Sequence, residues 1–362
     1  MGEIRAFTEE HLAEVATLYM KRMRGKSGPG SASLQDYFRE IFLANPWATP
    51  DIPSLTYFDQ GKVTGFLGIV PRVMEFEGRT IRVAVASQFM TYGGPAAMQM
   101  LAHLFSGPQE LNFSDGASEL AYQVWAAVGA SAANLYSFTW LRPLRPAQTV
   151  RNFLDRENAA LRLAGRVISA VAVPLEYLMA KLPIGVLRAP ESPFQSRLVD
   201  VDELFDCIQK FGWRDRLKPV YERESFRWLI SQAGDGQGTL QMVTLSSPEG
   251  AVVGWYVVYL EKRPGPAILM QMGVQRKAQF DRALSAMFRD MWRQGASSVK
   301  GQGMPQHLTS LSNQYCLFRH ANTCTVFHSR DLGIREAIYR GQAALSKLDG
   351  ESWMHFSDRD LG

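Results

Sequence analysis

The chain has 362 residues, enough for two domains at roughly 100 to 200 residues each. With 46% hydrophobic and 20% charged residues it holds the material of packed cores, which excludes a disordered, collagenous or disulfide-scaffold protein. Its net charge of +4, from 39 Lys and Arg against 35 Asp and Glu, is spread evenly; nothing in it resembles the basic stripe of a nucleic-acid binder, and a small anionic ligand stays open.

Residues 4–7 read as a short strand, and Thr8 can cap a helix whose apolar positions Leu12, Val15, Ala16, Tyr19 and Met23 fall at helical spacing. Residues 25–33 are a loop of turn formers, and a second helix over 34–43 ends before Asn45-Pro46. The period then changes to two. Strands over 55–58, 63–75 and 80–91, joined at 59–62 and at Gly78, predict an antiparallel meander. Tyr92-Gly93-Gly94-Pro95 breaks it, and Pro95 opens a helix continued by Met98, Leu101 and Phe105. A strand over 111–114, a helix over 118–128 and a closing strand over 135–141 complete the first half.

The same order returns after the Pro-rich stretch 183–193. It consists of a strand over 196–199, helices over 201–211 and 224–232, a meander over 239–245, 252–261 and 267–274, a helix over 277–294 and a strand at 298–300. A helix over 306–314, a closing strand over 323–328 and a last helix over 334–348 follow. The repeat predicts a duplication, divided as 1–150, a linker at 151–192 and 193–362. Within the linker, residues 158–182 are too apolar for a free tether. Arg162, Arg166, Glu176, Lys181 and Pro174 interrupt them as a bilayer span, so a helix packed between the halves is expected.

Cys207, Cys316 and Cys324 form no C-x-x-C pair and residues 1–7 carry no apolar signal core, so a reducing cytoplasm is the expected compartment. The six histidines show no H-x-x-x-H pair and no cysteine at zinc spacing, so no metal is expected. There is also no G-x-S-x-G elbow and no P-loop.

A helix pair, a meander, a helix leaving its last strand, then strand, helix and strand resembles the GNAT (Gcn5-related) N-acyltransferase fold, here twice in tandem: an α+β protein of two GNAT-like domains joined by a helical linker. The stretch Leu-Asn-Phe-Ser-Asp-Gly-Ala at 111–117, the ending at 135–146 and Leu-Asp-Gly-Glu-Ser-Trp-Met at 348–354 resemble bacterial members that accompany polysaccharide and cell-envelope gene sets. The resemblance implies a donor, acetyl-CoA or a longer acyl-CoA, or an acyl carrier protein as partner. It binds where two strands splay and a helix N-terminus meets pyrophosphate. Those positions here are Met90, Thr91, Tyr92, Gly93, Gly94 and Ala96. The family's signature there resembles Gln or Arg, two residues, Gly, one residue, Gly or Ala; this stretch has the glycines but no Arg or Lys, and Pro95 removes one N–H. In the second half the stretch 272–280 has Arg276 and Lys277 but no glycine pair, so the first half is the favoured donor site.

Many family members place a Tyr acid four residues before a Gly on the helix after strand five. Here that position is Trp125, before Gly129, and an indole cannot serve. Tyr122 or Tyr136 would have to substitute, with Tyr315 the nearest equivalent in the second half. Glu75 and Gln88 are the groups best placed on the first meander to act as a base in the cleft, with Glu261 in the second half, and of these Gln88 is the one favoured for a polar role there. Glu75 and Asp115 are the candidates for holding an acceptor, although Glu75 equally suits a strand end and Asp115 a helix cap. The expected activity is acylation of an amine or hydroxyl on a small molecule or envelope precursor. The alternatives are a degenerate duplicate that binds a metabolite or a partner protein, and a peptidyl ligase using aminoacyl-tRNA, which would need a basic surface.

Overall fold

The period-two segments do form a meander. In the computed structural model, which describes residues 2–154, 190–236, 238–261, 265–320 and 323–355, β1 (Glu3–Ala6), β2 (Leu55–Asp59), β3 (Lys62–Phe76) and β4 (Arg79–Thr91) pair antiparallel in sequence order. Both tight connections, Gln60-Gly61 and Glu77-Gly78, have two residues at positive φ, the type I′ geometry whose twist matches that of the strands. On one face, α1 (Leu12–Met23) and α2 (Ala32–Phe42) bring Tyr19, Phe38 and Phe42 together around Phe66 of β3. The Ser31 hydroxyl caps α2, accepting from Leu34 N at 3.2 Å. The other face, with Leu67, Ile69, Ala84 and Ala86, is covered by Met100, Leu101 and Leu104 of α3 (Gly94–Phe105) and by Trp125 of α4 (Glu119–Ala127).

The chain packs as two compact units, neither contiguous in sequence. One holds Met1–Ser137, Arg214–Gly236 and Ala321–Gly362, the other Phe138–Trp213 and Gln237–His320. Among the described residues the first unit's sheet runs β1-β2-β3-β4, then β5 (Leu111–Ser118), β15 (Thr323–Ser329) and β6 (Ser131–Ala132), with β9 (Leu217–Pro219) also pairing with β3. The second unit's sheet runs β8 (Gln195–Leu198), β10 (Gly238–Ser246), β11 (Val252–Glu261), β12 (Pro266–Val274), β13 (Ser298–Gln302), β7 (Phe138–Pro143) and β14 (Leu317–His320). The two orders match strand for strand.

The closing strands are exchanged. Residues 135–141 were expected to end the first sheet. Instead Asn134–Tyr136 is a 3-10 turn, and β7 pairs antiparallel with β13 and β14 in the second unit. In return β15, expected in the second half, pairs with β5 and β6 in the first. Alternation marks a segment as a strand and names no partner, so this exchange leaves no local trace. A cut near residue 150 or 192 therefore does not separate the sheets.

After β7 comes α5 (Pro146–Leu154); the apolar segment 158–182 lies outside the described residues. In the second unit α6 (Val201–Phe211) starts at Asp200, whose carboxylate accepts from Asp202 N and Glu203 N. α7 (Arg223–Gly234) belongs to the first unit. α8 (Phe280–Arg293) buries Phe280, Leu284, Met287 and Met291 in the second core, and α9 (Leu308–Asn313) adds Leu311. The last helix, expected over 334–348, is α10 (Leu332–Tyr339). Gly341 at φ 69° and a bond from Gln342 N to Ala337 O at 2.8 Å close it, and the chain returns extended beside β9.

Candidate functional site

β4 and β5 of the first unit are parallel, but only Val83, Ala84 and Val85 pair with Leu111, Asn112 and Phe113. Beyond these, β4 continues with β3 to Thr91 and β5 with β15 to Ser118, so the two strands part. A β-bulge in β4 opens the same place. The register shifts across Phe66 and Gly68, and Gln88 opposite takes φ 52°, the left-handed region that an L side chain seldom occupies.

Met90 and Thr91 end β4, Met90 buried against Phe66. Tyr92 follows, 49% exposed, then Gly93 as N-cap of α3 with Pro95 in the first turn. A Cβ on Gly94 would meet nothing within 4 Å and one on Gly93 only Pro95 Cδ at 3.9 Å, so neither glycine is required by packing. Both are open to a ligand that approaches the backbone, at a helix start whose Gly94 and Ala96 N–H groups point outward along the axis. The cation that the local sequence lacks comes from another element: Lys21 Nζ and the Arg22 guanidinium, at the end of α1, lie 5.1 and 5.3 Å from the Tyr92 ring centre. Two basic side chains thus flank the Tyr92 ring, which leads into the two glycines and the α3 N-terminus.

A polar cluster lies at the parting of the strands. Gln88, 2% exposed, donates from Nε2 to Tyr37 Oη at 3.1 Å and sits 3.2 Å from His355 Nδ1; Tyr37 Oη donates to Met354 O at 2.9 Å. Glu351 is buried beside them. Its Oε1 accepts from Ser114 Oγ and from Gly116 N at 3.0 Å, and its Oε2 lies 3.5 Å from His355 Nε2. Burial drives the Glu351 pKa up, but hydrogen bonds from His355, Ser114 and Ser87 outweigh it and leave the carboxyl below its ordinary value. Asp115 accepts from Glu351 N at 2.6 Å and Ser352 Oγ at 2.7 Å, and here burial prevails and raises its pKa.

Gln88 and Asp115 are thus brought together around the 3-10 turn Ser352–His355. Asp115 is a cap, but of this distant turn and not of α4, which Ser118 caps. Tyr136 is placed differently: buried, its hydroxyl donates to Ala343 O at 2.8 Å and accepts from Ala343 N at 2.9 Å, and burial raises its pKa far above the phenol range useful to an acid. Tyr122 is half-buried on α4 against the α3 core. Glu75 pairs across the β3–β9 ladder with Lys218 at 2.8 Å, a strand-edge ion pair. The sequence reading missed Tyr37, Glu351, His355, Lys21 and Arg22. Residues 348–354 had stood out as a motif, but their destination at β5 had no local sign.

The second unit parts its strands in the same way. β12 and β13 pair only over Pro266–Ile268 and Ser298–Lys300, and β12 carries a register shift opposite Val257/Val258. Gln88 comes three residues after Val85, the last parallel pair, and Gln271 three after Ile268; the N-caps Gly93 and Arg276 come eight after each. The glycines differ, however. A Cβ on Gly273 would strike the Trp255 ring at 2.2 Å and one on Gly301 the Trp140 ring at 2.4 Å, so these serve packing.

No protein-family model matches the chain, and no curated protein matches it. Solved structures do. A conserved protein of unknown function from Enterococcus faecalis, described as a probable N-acyltransferase, is 11% identical with a TM-score of 0.57 over 91% of this chain and 73% of that one. A GCN5-related N-acetyltransferase from Anabaena variabilis is also 11% identical, with a TM-score of 0.57 over 92% of this chain and 74% of that one. Saccharomyces cerevisiae N-myristoyltransferase with bound myristoyl-CoA and inhibitors is 10% identical, with a TM-score of 0.53 over 90% and 79%. Such identities speak for fold: the chain has the mixed α+β, GNAT-like fold of these structures.

Proposed function

We propose that this chain transfers an acyl group from acyl-CoA to an amine or hydroxyl of a small molecule or envelope precursor, with the first unit as donor site, and that its two units descend from a tandem duplication. The observation that carries the reading is the open Gly93-Gly94 start of α3 beside Lys21 and Arg22, next to a strand pair that parts at the Gln88 bulge. Acyl-CoA, when bound, supplies the activated thioester. The Gly94 and Ala96 N–H groups would hold its phosphates with the two cations, and the parted β4 backbone would align its arm as an added strand. A carrier protein could offer the same arm without the nucleotide.

Near Gln88 the group able to take a proton from an acceptor is His355, about one-third exposed, at Nδ1, once Gln88 Nε2 gives up the 3.2 Å contact that it makes there. Protonation would convert the 3.5 Å contact with Glu351 into an ion pair. Within this reading Gln88 positions, Asp115 and Glu351 fix the turn, and the reaction belongs in the cytoplasm.

A second reading, a duplicate that binds a metabolite or partner without catalysis, is favoured by one observation: Glu351 Oε1 takes the N–H of Gly116, on the part of β5 that no longer pairs with β4. Calorimetric titration with acetyl-CoA, myristoyl-CoA and free CoA separates the two. Saturable binding weakened by Gly94→Glu supports the first; no binding of any chain length sinks CoA-dependent transfer.

A further inference from the structure

Two segments meet at Tyr92: the end of α1 with the loop after it, and the end of β4 with α3. Neither carries an acid. No Asp or Glu lies between Glu14 and Asp36, or between Glu77 and Glu110, whereas Lys21, Arg22, Arg24 and Lys26 crowd residues 21–26. The even balance of charge along the whole chain hides this tract. Lys26 N donates to Met20 O at 3.0 Å, which folds the tract over the end of α1 and leaves Lys21, Arg22 and Lys26 exposed beside it. Met23, Tyr92 and Met98 are exposed there too.

A helix dipole favours cations in the last turn, which accounts for Lys21 and Arg22. It does not call for Lys26 beyond that turn, and it favours acids in the first turn of α3, where none stands. Both helix ends are thus left to an anion from outside the chain. A carrier protein and CoA offer the same pantetheine arm and differ in what stands behind it: one phosphodiester on an acidic protein surface, or a diphosphate with a phosphorylated nucleoside. The α3 start suits the first. Pro95 has no N–H and Ala97 N is engaged with Gly93 O at 3.2 Å, so Gly94 and Ala96 remain to serve a single phosphate. The cations continue outward over exposed surface as far as Lys26, an arrangement that complements an acidic protein face. Resting on the reading of the first unit as donor site, we propose that the donor arrives on an acidic carrier protein, which docks on Lys21, Arg22 and Lys26 and passes its arm by Tyr92 to the parted strands.

The test titrates the full chain by calorimetry with a holo acyl carrier protein, the same carrier without its arm, and acetyl-CoA. Lys26→Glu is the variant, because Lys26 lies beyond the pair of cations at Tyr92. Expected is saturable binding of the holo carrier, weaker without the arm and as salt is raised, with a loss of about tenfold in Lys26→Glu while acetyl-CoA affinity stays as in the parent chain. Holo carrier binding without acetyl-CoA binding also supports the proposal. Acetyl-CoA binding without holo carrier binding overturns the docking and leaves the donor site of the first unit standing; so does a carrier affinity that Lys26→Glu leaves untouched or weakens no more than that for acetyl-CoA. A chain that binds neither overturns both readings. Phosphatidylglycerol vesicles and a transfer RNA are the remaining arms: if either binds as tightly as the holo carrier and loses that binding in Lys26→Glu, the tract serves a membrane or a nucleic acid and the proposal is overturned. If Lys26→Glu lowers the melting temperature, Lys26→Gln replaces it and the same comparison decides.

Discussion

Gln88 Nε2 lies 3.2 Å from His355 Nδ1, joining the bulge of β4 to a turn 267 residues later in the chain. An amide nitrogen can only donate, so in this contact Nδ1 accepts and the ring proton sits on Nε2, toward Glu351. The same amide donates to Tyr37, so one side chain in a left-handed backbone position holds α2, β4 and the terminal turn in register.

Gln88 therefore carries two separable contributions. Gln88→Ala removes the hydrogen bonds and keeps the left-handed strain, so we expect a loss of about 1–3 kcal/mol in urea denaturation. Gln88→Gly removes the same bonds but relieves the strain, and is expected to be about 1 kcal/mol more stable than Gln88→Ala. Equal stabilities would show that the positive φ costs nothing here.

Glu351 anchors the terminal turn with an acceptor and with a charge. Glu351→Gln keeps an oxygen for Ser114 and Gly116 N, whereas Glu351→Ala leaves both donors buried without it. The Ala variant is expected to lose about 2 kcal/mol more than Gln in thermal or chemical unfolding. Because the folded pKa of Glu351 is depressed, its contribution is present above the unfolded carboxylate pKa and fades as pH falls through the folded value. In Glu351→Gln that part of the acid sensitivity should be missing.

If Lys21 and Arg22 supply the missing phosphate charge, each should act on donor affinity and leave the fold alone. Lys21→Ala and Arg22→Ala are each expected to raise the Kd for CoA several-fold, about 1 kcal/mol, and to flatten its salt dependence, with melting temperature unchanged because both side chains are exposed. Gly93→Ala tests the backbone approach apart from the charge: a Cβ there has room and φ −162° is extended backbone open to any residue, so the fold should be unchanged while donor affinity falls. Lys21→Ala and Arg22→Ala that both bind CoA like the parent chain would remove this cradle.

What could be read from the sequence follows a physical line. Elements set by local periodicity were legible, among them α1 through Leu12, Val15 and Tyr19, the meander with its Gly61 and Gly78 turns, and α3 opened by Pro95. The order of elements suggested a repeat, and Gln88 and Gln271 stand at matching positions in the two sheets. Of the candidate site, Gln88 and the Tyr92–Ala96 stretch could be found, because a polar residue in an apolar strand and a glycine pair before a helix are local anomalies. The exchange of β7 and β15 and the arrival of Glu351 and His355 could not. Those depend on which distant segment fills an edge, and one residue's neighbours in sequence carry no record of that. Lys21 and Arg22 read as an ordinary basic helix end for the same reason.

Two buried groups make opposite demands on pH. Burial raises Asp215 from 3.8 to about 6, so between those values the folded state holds a proton that the unfolded chain has lost, and stability falls as pH rises. Burial, with Lys277 nearby, lowers His307 from 6.5 to about 4, so the unfolded chain holds the extra proton and stability rises with pH over nearly the same window. At about 1.36 kcal/mol per unit, each effect is on the order of 3 kcal/mol, and the two nearly cancel where both units unfold together. Asp215→Asn should therefore unmask His307: in urea melts from pH 4 to 6.5 its stability is expected to climb with pH more steeply than that of the parent chain. His307→Phe, which keeps a ring stacked on Phe280 at the present 3.5 Å centroid distance, should show the reverse and lose stability as pH rises through 6. Parallel pH profiles for the parent and both variants would mean that neither burial survives as drawn.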